Sequence, residues 1–492
     1  MRIVSVFLLV IFQAFSPVAQ NLKIYVHLDT SIKQSLTGRL YIFSQPDTTK
    51  GVQDPDPFDP SPTFHKDVEN WQGEQVQVFE GKEAAYPVSL NEVKPGWYKF
   101  AAVMDVNTGE RSNTAVPGNY YSRKDVVAEI KAGAPNEVHI RISNVFRERP
   151  FRETETIKYL SVKSEILTRF HHKDIYVKAA VILPASYKSD TIKKYPLVFI
   201  IPGWGGTHYD ALQKFATDRY GVGMGKEKIY VYLNPETQTR FGLHAFVDSR
   251  VNGPWGKALV EEVKPWLAVH YRLDTDPSQH FITGQSSGGY GALWLQLNYP
   301  AAFGGCWSVS PDPVDFSDFT GINLYEKDVN MFYDKEGKER PFFIINGNPH
   351  STMKKFMDFE AFMGDGGQQQ SFEAEFGIMG KDGKPEELFD KRSGAIHPGV
   401  VANWKKYDLG LFIQNRWKKI RKDAAGKIFV FAGAEDNFFL HQAVKAFRKK
   451  AEKANAALVA ELVPGANHWT VWQKDFVARM HGEFDKRIKN SR

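Results

Sequence analysis

Gly284-Gln285-Ser286-Ser287-Gly288 fits the pattern G-x-S-x-G within the stretch FITGQSSGGYGALW, residues 281–294. An apolar run precedes the motif and a glycine-rich helical run follows it. That context matters, because a nucleophilic serine in this pattern sits on a strained strand-to-helix turn where flanking side chains would clash. A tight turn without chemistry is the competing reading of the motif alone. A serine hydroxyl stays protonated at neutral pH and needs a base to attack. In this pattern an acid and then a histidine follow the serine along the chain. IFVFAGAEDNFFL, residues 428–440, reads as a strand ending in a turn with Glu435 and Asp436. AELVPGANHWTVW, residues 460–472, reads as a later strand and a loop carrying His468. His468 is then the base that takes the proton of Ser286 and returns it to a leaving alcohol. Asp436, with Glu435 as the alternative acid, would fix its tautomer.

An acyl-transfer intermediate needs backbone donors for its oxyanion. One is expected from the N–H of Ser287. IIPGWGGTHYD, residues 200–210, offers the other at Trp204, with Gly205 as the alternative. A phosphate cradle is disfavoured there because no Gly-Lys-Ser/Thr follows. The substrate pocket is expected to draw on Gly205, Gln285 and Trp469, and on Asp248, Asn252 and Trp255 from FVDSRVNGPWG, residues 246–256. Core packing is an equal reading for each tryptophan. His244, His350 and His397 lack paired spacing, so no metal site is expected.

These residues need a scaffold that ends several strands at one edge. Between residues 174 and 463, strand-like and helix-like runs alternate: YPLVFIIPG, KIYVYLNP, HFITG, GGCWSVSP, KIFVFAG and ALVAELVPG, with helices near 256–270, 289–297 and 439–454. Alternation of this kind implies a mostly parallel sheet with helices on both faces. A long polar stretch at about 315–419 reads as an insertion over the catalytic edge. From 22 to 143 the texture differs. LKIYVHLD, GRLYIFSQ, GWYKFAAVMD and EVHIRIS carry apolar residues at alternate positions, as in an antiparallel β-sandwich. QDPDPFDPSP, residues 53–62, is too proline-rich for a core strand and reads as a surface loop. The expected division is an export signal at 1–20, a β-sandwich accessory domain at 21–146 and a catalytic domain at 147–492.

The chain has 492 residues, a formal charge of +6 and 14% aromatic residues. It has no long basic run interleaved with aromatics, so nucleic-acid binding is disfavoured. Arg2 followed by a short apolar run at 3–15 reads as a secretory signal, giving a secreted or periplasmic protein. Cys306 is the only cysteine, so no intrachain disulfide and no lipid-bearing cysteine near the cleavage site are expected. No membrane anchor is expected.

YPLVFIIPGWGG, FITGQSSGGYGALWLQLNYPAAFGGCWSVSP, AGAEDNFFL and PGANHWTVW together resemble the secreted esterases of the esterase-D, or feruloyl-esterase-like, family. The resemblance spans about 195–472. It implies an α/β-hydrolase fold without a cofactor and a triad at Ser286, Asp436 and His468. The N-terminal region resembles the β-sandwich accessory domains joined to such enzymes. The expected activity is serine-dependent cleavage of a small-molecule or carbohydrate-linked ester, with a polysaccharide or phenolic conjugate as one setting. An acyltransferase of the same fold, or a carbohydrate-binding protein on an inactive scaffold, is the alternative.

Overall fold

Leu197–Ile201 is a strand of unbroken apolar residues, all of them buried. Leu197, Phe199 and Ile201 face one core, and Val198 and Ile200 face the other. Apolar layers on both faces follow from a sheet covered on both sides, which is why the run shows no polar alternation. The computed structural model to which this strand belongs describes residues 21–52, 55–107, 109–111 and 115–488. The expected export signal at 1–20 lies outside the described residues.

The large sheet has strands β1 (Ile157–Lys163), β2 (Tyr176–Ile182), β3 (Leu197–Ile201), β4 (Ile229–Leu233), β5 (His280–Ser286), β6 (Gly305–Pro311), β7 (Ile428–Gly433) and β8 (Val459–Val463). Their spatial order is β1-β2-β4-β3-β5-β6-β7-β8. Only β2 runs against its neighbours; the pairs from β4 through β8 are parallel. This is the mostly parallel α/β sheet expected from the sequence. The C-terminal ends of β3, β5, β6 and β7 lie side by side, as open parallel sheets require of a site edge.

Helix α1 (Ser287–Asn298) leaves β5 directly. Between β6 and β7 come a two-stranded ribbon, Pro341–Ile345 with Asn348–Thr352, then α2 (Met353–Met363) and α3 (Gln368–Phe376). The same connection ends in α4 (Leu409–Ala424), which feeds β7; α5 (Leu440–Lys453) joins β7 to β8. A parallel pair needs a crossover helix, and α4 supplies it for β6 and β7. The inserted part therefore stops near Asp408, whose carboxylate caps α4 through the Leu411 N–H at 2.7 Å, rather than at 419. The helix expected at 256–270 keeps Pro265 by widening: Trp255–Ala258 and Lys264–His270 are α-helical, and Leu259–Val263 between them is a π turn. A π turn changes the hydrogen-bond ladder where Pro265 has no N–H to give.

The chain divides into two units. Of the described residues, the first holds 21–52, 55–56, 60–107 and 115–147, and the second holds 57–59, 109–111 and 148–488. Within the first, Asn21–Leu28 pairs with Gln77–Phe79 and Pro135–Ile142, and a larger sheet is built around Leu36–Gln45, Thr63–Trp71 and Gly96–Asp105. Alternate residues of strands in both sheets, among them Ile24, Val26, Ile42, Phe100, Met104 and Ile140, share one core. The pairing is not wholly antiparallel, as the sequence suggested. Asn21–Leu28 and Pro135–Ile142 run parallel along their full length, because the strands that separate them in sequence belong mostly to the other sheet. Thr63–Trp71 escaped the pattern reading because a bulge at Asn70 (φ 49°) breaks its alternation, leaving Phe64, Val68 and Trp71 as the buried apolar positions. No described helix is long and apolar enough to cross a membrane.

The packing of α1 on the sheet is close enough to test. A Cβ on Gly288 would lie 1.9 Å from the carbonyl oxygen of Ile201 and 2.6 Å from that of Pro202. Neither backbone atom can step aside. Gly288→Ala should cost more than about 3 kcal/mol in urea denaturation. Gly305→Ala, whose nearest neighbour would be Phe281 at 3.4 Å, should stay within about 1 kcal/mol. Equal effects would show that the backbones can part.

Candidate active site

β5 ends in Ser286, which holds φ 57° and ψ −125°. A positive φ is costly for a residue with a Cβ and persists only where the surroundings enforce it. They do so here. Gly284 comes so close to α1 and β3 that a Cβ would meet Gly288 O at 2.3 Å and Ile201 O at 2.6 Å. The strand and helix can touch across the turn only because both flanking positions are glycine. Ser287 is the first residue of α1, so its N–H belongs to the donors a helix leaves unpaired at its N-terminus.

Asp436 and His468, the expected acid and base, follow β7 and β8. His468 Nδ1 and Asp436 Oδ2 lie 2.9 Å apart, and both side chains are buried. The other oxygen of Asp436 accepts from the N–H groups of Phe438 at 3.0 Å and Leu440 at 3.4 Å, where α5 begins. Burial works to raise the Asp436 pKa. The His468 charge and hydrogen bond, with the two backbone donors, outweigh it and hold the carboxyl below its ordinary value. Asp436 is therefore ionised and Nδ1 carries the proton, which leaves Nε2 free to accept one. Glu435, the alternative acid, is exposed, and its N–H bonds Ala466 O instead.

The histidine loop is tied down from several directions. His468 N–H donates to Asn437 Oδ1 at 3.1 Å, and Asn437 Nδ2 donates to Ile344 O at 2.7 Å in the inserted ribbon. Gln285 Nε2 donates to His468 O at 2.6 Å, while its Oε1 accepts from Arg219 at 3.2 Å. Phe438 stands edge-on to the imidazole at 5.0 Å between centroids.

A cavity of about 290 Å³ opens over Ser286 and His468. Trp204, Gln285 and Trp469 line it, as expected, along with Asp210, Arg219 and a set of phenylalanines. The Trp204 ring carries Arg111 at 4.9 Å on its face, and Arg111 pairs with Glu236 at 3.0 Å. Gly205 is absent from the wall; it turns the chain between Trp204 and Gly206 with φ 83°.

Asp248, Asn252 and Trp255 are not in the cavity, contrary to the sequence reading. Asp248 accepts from Tyr299 and from the Lys257 N–H at 2.9 Å, at the start of the helical stretch that follows. Asn252 is buried and donates to Leu243 O at 3.1 Å; the Trp255 indole donates to Asn252 O at 2.7 Å and stacks on His244 at 3.6 Å. These hydrogen bonds hold a turn beneath α1, and only Oδ1 of Asn252 is left without a partner among them. Trp472 packs on Tyr220 at 4.9 Å, and Cys306 is fully buried in β6, where burial pushes its thiol well up.

The sequence reading missed Asp312. It follows β6 and lies under Ser286. Ser286 Oγ donates to its Oδ1 at 3.1 Å and Ser287 Oγ to its Oδ2 at 2.5 Å, and its own N–H donates to Ser286 O at 3.1 Å. Burial pushes its carboxyl up to about 6, against the pull of those two hydroxyls. Behind it Glu375, on α3, is raised well above the ordinary range by burial and by the charge of Asp312. The signal was present, since SPDP places a carboxylate just past the strand next to the nucleophile strand.

Residues 174–483 match the family described as "Putative esterase". No curated protein matches the chain. Among solved structures it is similar to a ferulic acid esterase, 14% identical over 68% of this chain and 98% of that one, with a TM-score of 0.42. It is also similar to an S-formylglutathione hydrolase from Agrobacterium tumefaciens, 15% identical over 69% and 99%, TM-score 0.40. A third is MPT51 of Mycobacterium tuberculosis, 15% identical over 68% and 100%, TM-score 0.40.

Asp312 gives the site a pH signature in stability. Its folded-state pKa of about 6 lies above the ordinary 3.8, so between those values the folded protein holds more protons than the unfolded chain. The contribution of this group to stability is therefore greatest below about pH 4, falls as pH rises to about 6 and stays low above. The span corresponds to at most about 3 kcal/mol. Asp312→Asn should remove that fall, so that the stability difference between variant and wild type moves in favour of the variant from pH 4 to pH 7. Parallel pH–stability curves would show that Asp312 is not held in this way.

Proposed function

The chain belongs to the Putative esterase family, and on that premise we propose that it is a secreted serine esterase working through an acyl-enzyme. Ser286 attacks the ester carbonyl while Nε2 of His468 takes the hydroxyl proton. The same imidazole returns that proton to the leaving alcohol, and a water activated in the same way releases the acid. Asp436 keeps Nδ1 protonated and stabilises the imidazolium that forms. The N–H groups of Ser287 and Trp204 face the developing oxyanion. The observation that carries this reading is the buried Asp436–His468 pair, whose histidine lines one cavity with a serine held on a strained turn.

In the resting arrangement the Ser286 hydroxyl donates to Asp312. One hydroxyl proton serves one acceptor at a time, so attack begins with its redirection to His468. The aromatic wall of the cavity suits an ester with an apolar or ring-bearing group, in keeping with an acyl group on a polysaccharide or phenolic conjugate. The first unit is read as a β-sandwich accessory module, which its shared two-sheet core supports.

An alkyl fluorophosphonate should label the wild type and leave Ser286→Ala unlabelled; equal labelling of the two sinks the mechanism. His468→Ala should lose at least about a thousandfold in kcat on a p-nitrophenyl ester, and Asp436→Asn a comparable amount by allowing the wrong tautomer. A panel of acetyl, feruloyl and longer acyl esters reads the substrate class.

A further inference from the structure

Phe58 comes from a segment that a sequence reader would leave on the surface. It sits among Pro55, Pro57, Pro60 and Pro62, in a loop between two strands of the first unit. Yet residues 57–59 belong to the second unit, and Pro57 and Phe58 line the same cavity as Ser286 and His468.

The seating is specific. The Phe58 ring stacks on Phe343 at 4.4 Å and on Phe356 at 5.6 Å, both with near-parallel planes. It meets Phe342 at 6.3 Å and Phe438 at 5.7 Å. Phe438 in turn stands against the imidazole of His468. Next to it, Asp59 pairs with Lys355 on α2 at 3.0 Å. Proline on both sides limits the backbone freedom of the segment, so little is lost in holding the ring where it is.

We propose that Phe58 is a specificity-determining residue: its ring, delivered by residues 57–59, forms part of the cavity wall and limits the bulk of the ester group that the site accepts. The inference rests on the esterase reading. The N-terminal third of the sequence then supplies a residue that selects substrate. A wall of this kind discriminates by excluded volume. In an apolar pocket each methylene of fit is worth roughly tenfold or more in kcat/KM, so removal of a whole ring should be plainly visible.

The test is a ratio measured within each variant, which a smaller folded fraction does not change. For wild type and Phe58→Ala, kcat/KM is measured on p-nitrophenyl acetate, butyrate and octanoate, and on a series of acetates with alcohols of increasing bulk. In at least one series the large-to-small ratio should rise by at least about tenfold in Phe58→Ala. Phe58→Leu, which keeps an apolar side chain, should rise less. If Phe58→Ala does not fold, Phe58→Leu carries the test alone with a rise of at least about threefold. Ratios that stay unchanged or fall in both series, in variants that still hydrolyse the acetate, overturn the inference. A wild type that hydrolyses none of the panel and resists the fluorophosphonate overturns the esterase reading instead, which is a different result.

Discussion

The carbonyl of Ile201, the α-carbon of Gly284 and the α-carbon of Gly288 crowd into one small volume, and the geometry of Ser286 follows from that crowding. β3, β5 and the first turn of α1 can approach this closely only without side chains at the contact. The chain between them has to reverse over Ser286, which takes up a left-handed φ. Burial of β3 and β5 on both faces supplies the energy that enforces the strain. The hydroxyl is thereby presented at the end of the sheet, and the next N–H opens a helix. The acid and the base then need only to come from the ends of the strands on the same side, and the order β5-β6-β7-β8 brings them there.

Charge in the site is distributed by burial and by donors. Asp436 and Asp312 are both removed from water, yet their environments drive them apart. Asp436 has a histidine and two backbone N–H groups and stays ionised. Asp312 has two hydroxyls, which compensate less well, and its pKa rises to about 6. Two carboxyls separated in this way do not compete for the same function. Asp436 is a permanent counter-charge for His468. Asp312 is a proton acceptor that weakens as the medium becomes acidic, and its charge, together with burial, raises the carboxyl of Glu375 behind it.

The sheet was legible in the sequence because its strands are buried on both faces, which leaves apolar runs such as LVFII that have few other uses. Ser286, Asp436 and His468 stood out because they lie at the ends of those runs in a fixed order. Asp248, Asn252 and Trp255 show the limit of the same reasoning. They sit in a glycine-bearing loop before a helix, as pocket residues often do, but their polar atoms close a turn beneath α1. Sequence position alone does not say which way such a loop faces. Thr63–Trp71 was hidden by a bulge and the parallel edge of the first unit by a long-range pairing, and neither leaves a local pattern.

The wall of the cavity was the least legible part, for a physical reason. A catalytic group must be of a particular chemical type, so its identity is visible wherever it stands. A wall needs only volume and apolar surface, and phenylalanine supplies both at any point in the chain. Phe58, Phe342, Phe356 and Phe438 are separated by up to several hundred residues and carry no common spacing, yet they meet within about the reach of one ring stack. What marks them is local inconsistency: Phe58 is an aromatic residue in a proline-rich, acidic loop, and Phe438 stands two residues after Asp436, where a polar turn residue would serve. Residues that break the character of their own segment are held there by contacts elsewhere in the fold. Here those contacts reach His468 through Phe438, so the same aromatic surface that shapes the cavity also packs His468 beside Asp436.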